Sequence, residues 1–379
     1  MLLKRLFVVL ALTLLTQQVF AESSTDTLTL SHPNISSPLT FNIHLPHRYS
    51  ANKSKRYVLM FNLHPQSNTY LTGMHDWMSH NGEWPWLETI IVTPQSGNLM
   101  ASLFDPSGAT TPMLDFMEAT LLPAIDNKYR TNGYRIISGF RVDGSVVLSS
   151  LLNKPTLFNA HIAVSPELSN DMAGILSSAK PKLISLDNKP RYLLFSHGTS
   201  VKESHQYGHY QTLEQQLKAH APSSLQWQYL PLEDSYFMSL PLLSVIKGIE
   251  QIFDDIHTGL SAESTVSQGG VDSIVSHYHY LSNEKYGFEV SPKFSIKTLA
   301  DSKLSNSLEE GLQIYQVLVQ LYPDDPYSYH NIAKAYAKYG DFQQAVVYQE
   351  RAVNKAKPLS TWHQKRHQRF LDTYRLKQQ

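Results

Sequence analysis

The sequence has 379 residues, too long for one average domain and comfortable for one large domain with a smaller second one. Lys plus Arg and Asp plus Glu both number 32, so the formal net charge is zero, which argues against a nucleic-acid binder or a partner for a strongly anionic surface. Cysteine is absent, which excludes a disulfide framework, a thiolate metal site and a cysteine nucleophile.

The first residues read as a secretory leader. Lys4 and Arg5 form a short positive region, Leu6 to Leu15 is apolar, and Val19-Phe20-Ala21 offers small residues for cleavage. Residues 1–21 are therefore expected to be a signal peptide, and the mature protein to be periplasmic or secreted with no stable membrane span. An uncleaved anchor is the competing reading.

From Leu28 to Pro94 the pattern is β-rich. "PLTFNIHLP" alternates Phe41, Ile43 and Leu45 with Asn42 and His44, as a half-buried strand does. "RYVLMFNLH" and "TIIVTP" are near-continuous apolar runs, suited to strands buried on both faces of a parallel sheet. Residues 110–128 change to helical spacing, with Met113, Phe116, Met117, Leu121 and Ala124 on one face. Strand "YRIISGF", helix "GSVVLSSLLN", strands "AHIAVSP" and "RYLLFSHG", helix "HYQTLEQQLKAHA" and strand "LQWQYLP" follow. Such alternation predicts an α/β domain over 22–257, a mostly parallel sheet flanked by helices.

Residues 258–272 are small and polar and read as a loop, within a linker and connecting helix over 258–290. The remainder reads as helical. "PYSYHNIAKAYAKYGDFQQAVVYQERAV" resembles a tetratricopeptide repeat. Tyr329, Ala333 and Tyr336 take the first-helix positions, Gly340-Asp341-Phe342 the turn, and Ala345 and Ala352 the small positions of the second helix; Pro358 closes the unit. "EEGLQIYQVLVQLYPDDP" resembles the second helix of an earlier, degraded repeat, with Gly311 where alanine is usual. Helical repeats are expected over 291–357 and a C-terminal helix or tail over 358–379, with a protein partner as one use of the repeats.

"RIISGFRVDGSVV" has the strand–turn–helix layout of a nucleophile elbow, whose pattern is G-x-S-x-G. Gly139 is in place, but Arg141 occupies the serine position and Asp143 the second glycine. The bulk of Asp143 predicts a relaxed turn. "FNIHLPHRY", "LLPAIDNKYRTNGYRIISGF", "LFNAHIAVSPEL" and "SLPLLSVIKGIEQIF" together resemble the Putative esterase family of α/β-hydrolases, which includes esterase D-like and enterochelin esterase-like proteins; the tail resembles members with appended helical repeats.

The resemblance implies an α/β-hydrolase fold and an acyl-enzyme mechanism through Ser, His and an acid. It puts the family's G-H-S-x-G-G on Gly139, Phe140, Arg141, Val142, Asp143 and Gly144. It puts Phe237 in the place of the histidine, and Val201, with Glu203 as the nearest carboxylate, in the place of the acid. Arginine stays cationic and phenylalanine cannot move a proton, so the triad is expected to be degenerate.

Relocated chemistry would draw on Ser145, just inside the helix, or Ser165, before Pro166. Ser145 otherwise reads as a helix-surface or capping residue and Ser165 as a turn residue. His205 and His209 with His197 have metal-like spacing, though 17 histidines make such pairs common. His75 and His80 read as loop residues. Arg141 and Asp143 are candidates to pair with each other or with Glu167, and Trp77, Trp84 and Trp86 to line a binding pocket. The reading is an exported, catalytically degenerate member that acts in binding, taking a small-molecule ligand or a protein partner, with no cofactor and no metal. An ester hydrolase with relocated residues is the alternative.

Overall fold

A computed structural model describes residues 23–33, 37–80, 85–95 and 111–379. The expected signal peptide and Trp84 lie outside the described residues. The chain divides into two units, residues 1–253 and 254–379.

The first unit is built on one eight-stranded sheet, ordered β1-β2-β4-β3-β5-β6-β7-β8. The strands are β1 (Ser24–Leu30), β2 (Leu39–Leu45), β3 (Tyr57–Asn62), β4 (Thr89–Pro94), β5 (Thr131–Phe140), β6 (Ala160–Val164), β7 (Arg191–Gly198) and β8 (Leu225–Leu232). β1 and β2 are antiparallel to their neighbours, and β3 to β8 run parallel. Every residue of β3, β4, β6 and β7 is buried, as strands covered on both faces require, and the sequences of β3 and β4 are accordingly near-continuous apolar runs. The mostly parallel sheet flanked by helices is the arrangement expected of an α/β-hydrolase.

The helices of this unit are α1 (Ser67–Met78), α2 (Thr111–Phe116), α3 (Leu122–Lys128), α4 (Val142–Asn153), α5 (Ile175–Ile184), α6 (Tyr207–His220) and α7 (Leu240–Ile252). A π-helical turn over Met117–Leu121 joins α2 to α3, so the expected apolar stripe is carried by one continuous run of helix with a bulge. α4 is buried on nearly its whole circumference, because it leaves the centre of the sheet under the other helices. The stretch carrying His75, expected as loop, is helix α1; its buried residues are Ser67, Leu71 and His75. Among the described residues no helix is long and apolar enough to cross a membrane.

The second unit is helical. Its main elements are α8 (Val271–Tyr280), α9 (Lys293–Leu304), α10 (Leu308–Leu321), α11 (Pro326–Lys338), α12 (Phe342–Lys355) and α13 (Thr361–Gln378). The polar stretch expected as loop holds a four-residue helix, Thr265–Gln268, capped by Ser264. α11 and α12 form a hairpin turned at Gly340, whose φ of 83° suits glycine, and Asp341 caps α12 by accepting from Gln344 N. Ala333, Ala345 and Ala352 are fully buried. A side chain at Gly311 would meet Leu304 Cβ at 2.8 Å, so glycine there lets α9 and α10 approach closely.

Candidate functional site

β5 passes into α4 through a tight turn. A single residue, Arg141, makes it, with φ 57° and ψ −121°. That is a sparsely populated conformation for a residue with a Cβ, costing of the order of 1–3 kcal/mol, and its surroundings hold it. Arg141 N donates to Val164 O at 2.9 Å, and Arg141 O accepts from Ser145 N at 3.1 Å and Glu167 N at 3.2 Å. Gly139 is required here, since a Cβ would fall 2.4 Å from Asp143 O. Gly144 faces the β6 end, where a Cβ would lie 3.0 Å from Val164 O. The expectation that Asp143 relaxes the turn is therefore corrected. Gly139 and Gly144 absorb the close approaches, and the turn stays strained with Asp143 between them.

The guanidinium of Arg141 is half exposed and lies 3.8 Å from Glu167 Oε2. Of the two pairings considered from sequence, the structure places Arg141 beside Glu167 and leaves Asp143 out. Glu167 is otherwise committed: its carboxylate accepts from the Ser169 hydroxyl and from Gln206 Nε2. Gln206 Oε1 in turn accepts from Leu168 N at 3.0 Å. Burial raises the Glu167 pKa, but the hydrogen bonds from Ser169 and Gln206 outweigh it and leave the group below its usual range. Asp143 is buried, and desolvation pushes its carboxyl up to about 7. Tyr70 of α1 feels this carboxyl, and burial raises the Tyr70 phenol strongly.

Phe237 opens a short helical turn, Phe237–Ser239, ahead of α7. Its ring packs on Phe140 at 4.9 Å between centroids. The Arg141 guanidinium lies 5.9 Å from that ring and Lys202 Nζ lies 5.7 Å from it. Arg141, Phe237 and the Val201–Glu203 turn thus come together from three separate segments. Glu203 is buried, and both its oxygens accept from Gly198 N, at 3.2 and 3.1 Å.

The two serines have different surroundings. Ser145 is fully buried rather than at the helix surface, and its hydroxyl donates to Glu167 O at 2.6 Å, tying α4 to the β6 end. Ser165 stands one residue past β6 with φ 43°, and its buried hydroxyl has no hydrogen-bond partner.

The donor atoms of His197, His205 and His209, whose spacing is metal-like, do not converge on one point. His205 lies in a 3₁₀ turn (Ser204–Gln206) and His209 in α6. His197 Nδ1 donates to Gly198 O at 2.6 Å and its Nε2 accepts from Tyr229 OH at 2.7 Å, so both ring nitrogens are used. Among the described residues, the donor atoms that converge within 4.8 Å belong instead to His44, His75 and Asp76. His75 Nε2 accepts from Thr89 N at 2.9 Å, which fixes the proton on Nδ1, and that N–H donates to Asp76 Oδ1 at 3.2 Å. The nitrogen facing the cluster has no lone pair to give, so the group fits a hydrogen-bond network and not a metal. Desolvation raises the Asp76 pKa, yet hydrogen bonds from His44, His75 and Ser23 overcome this and hold it far below the usual carboxylate range. Trp86 belongs to this core, edge-on to His75 at 5.6 Å, while Trp77 is exposed on α1. They do not form one pocket wall.

Lys202, Gln206 and Tyr70 complete the surroundings of the turn. Each reaches the turn through the fold, and no spacing in the chain marks them.

A family model, Putative esterase, matches residues 33–227. The chain is similar in structure to an IroE-like serine hydrolase from Shewanella oneidensis, with 19% identity, TM-score 0.62, and 79% of this chain and 100% of that one covered. It is also similar to an uncharacterised protein from Capnocytophaga ochracea, with 14% identity, TM-score 0.67, and 93% and 100% covered. A third likeness is to the BES protein from Bacillus cereus, with 17% identity, TM-score 0.53, and 62% and 97% covered. At these identities the likenesses speak for the α/β-hydrolase-like fold. No curated protein matches.

Proposed function

The chain belongs to the Putative esterase family, and we propose that this member binds a ligand at its strand–helix turn without hydrolysing it. The observation that carries this reading is the identity of the residue held at φ 57°, ψ −121°. A nucleophile elbow exists to present an attacking oxygen, and here it presents a guanidinium, which cannot attack a carbonyl. The aromatic ring of Phe237 lies beside it, where proton transfer would need a titratable base. Glu203, the nearest acid candidate, spends both oxygens on Gly198 N.

The protein is proposed to be exported, from Lys4-Arg5, the apolar run and Val19-Phe20-Ala21. The α11–α12 hairpin is proposed to be a tetratricopeptide-type repeat, on the positions of Ala333, Gly340, Ala345 and Ala352, and to offer a surface for a protein partner. Hydrolysis by a relocated serine is a second reading. It draws on Ser165, whose buried hydroxyl is unpartnered.

Turnover of short acyl p-nitrophenyl esters tests the reading. Binding alone can leave of the order of 10³-fold acceleration over water. Rates of the order of 1–10³ per second would overturn it, and Ser165→Ala would then show whether that serine carries them.

A further inference from the structure

Non-hydrolytic binding at the turn leaves open what is bound, and the groups around Phe237 narrow the choice. The Arg141 side chain is 54% exposed, and among the described residues its one charged neighbour within 4 Å is Glu167, at 3.8 Å. That is a long contact for a guanidinium, whose strong pairs are bidentate near 2.8 Å. Lys202 is exposed and has no ion pair within 4 Å among the described residues, and its Nζ lies 5.7 Å from the centre of the same ring. Two cations therefore flank one aromatic ring, and among the described residues Glu167 is the one carboxylate within 4 Å of either. The surplus suits a monoanion better than a dianion.

The rim of this place is apolar. Val201 is 85% exposed, Tyr236 86% and Met238 69%. They sit next in sequence to Lys202 and Phe237, and the two segments meet, since a Cβ on Gly198 would touch Leu240 at 3.1 Å. Large apolar side chains left in water beside unsatisfied cations match a ligand with an anionic end and an apolar body.

We propose that Arg141 and Lys202 receive the carboxylate of an amphipathic monocarboxylic acid, whose apolar body lies over Phe237, Tyr236 and Met238. The inference rests on the non-hydrolytic reading of the turn. The ligand is then the free acid, held by charge at the residue where an ester would otherwise be attacked.

The test is calorimetric titration of the full mature chain with octanoate, and with 1-octanol as the uncharged counterpart, both below their aggregation limits. Octanoate is expected to bind at least tenfold more tightly than octanol, and butyrate more weakly than octanoate by up to about fourfold per methylene removed. Arg141→Gln and, separately, the surface change Lys202→Gln should each weaken octanoate several-fold and leave octanol unchanged. Phe237→Ala should weaken both. Equal affinity for octanoate and octanol, indifference of octanoate to both cation changes in folded protein, or no heat at millimolar octanoate would overturn the inference. An adduct with a fluorophosphonate would instead overturn the non-hydrolytic reading and leave the binding result standing, so the two failures are told apart.

Discussion

The Arg141 guanidinium lies 5.9 Å from the centre of the Phe237 ring, which itself packs on Phe140. Two residues remote in the chain meet at the turn between β5 and α4. One is a permanent cation and the other cannot titrate. If they stand where a serine and a histidine once stood, restoring them should restore chemistry. Arg141→Ser, Asp143→Gly and Phe237→His together should raise ester turnover clearly above the unaltered protein, while the single changes should do almost nothing, because triad members act as a unit. Steady-state assays of the three singles and the triple variant check this.

Asp143 makes the first unit lose stability as pH rises toward neutral. Its carboxyl is shifted from 3.8 to about 7 by burial. Between those values the folded state holds the proton and the unfolded chain does not, so stability falls as pH rises from about 4 to 7. The loss is about 4 kcal/mol at most, at 1.36 kcal/mol per pH unit. Asp143→Asn should flatten this slope and be the more stable protein at pH 8. Thermal midpoints measured from pH 4 to 8 decide it; parallel curves for the two proteins would contradict the buried acid.

Gly139 tolerates no side chain. A Cβ would lie 2.4 Å from Asp143 O and 2.5 Å from Asp143 C, backbone that cannot move without unwinding the start of α4. Gly139→Ala is expected to destabilise the protein by about 3 kcal/mol. Gly73→Ala on α1, with nothing within 4 Å, is the control and should not destabilise. Chemical denaturation of both variants measures the difference.

The second unit should loosen in acid. His330 of α11 and His367 of α13 are buried with ring centres 5.5 Å apart, and Gln349 of α12 joins them by accepting from His330 Nδ1 and donating to His367 O. Burial, then the neighbouring His330 and Arg366, lowers the His367 pKa to about 4. Its contribution is present above pH 6.5 and lost as pH falls from there toward 4, up to about 3 kcal/mol. Amide protection factors over residues 326–378, taken against the intrinsic exchange rate at each pH, should fall between pH 6.5 and 4.5, and His367→Phe should suppress the change.

Much of the fold is legible because its strands are buried on both faces. "RYLLFSHG" gives β7 from end to end, and the apolar runs give β3 and β4. Helix α1 is not legible, for its buried face is Ser67, Leu71 and His75, which leave no apolar stripe at helical spacing. Arg141 could be placed because Gly139 marks the register. The strain at Arg141 could not be read, since it depends on Val164 and Glu167 receiving its backbone. Lys202 and Gln206 come to the turn only through the return of the chain after β7, which no local pattern encodes.

The central claim is that the turn carries no activated nucleophile, and a fluorophosphonate probe tests it most directly. Intact-mass measurement of the folded mature protein after incubation is predicted to show the unmodified mass, with an active serine esterase labelled in the same tube. A stoichiometric adduct mapping to Ser165, Ser145 or any other serine would contradict the account.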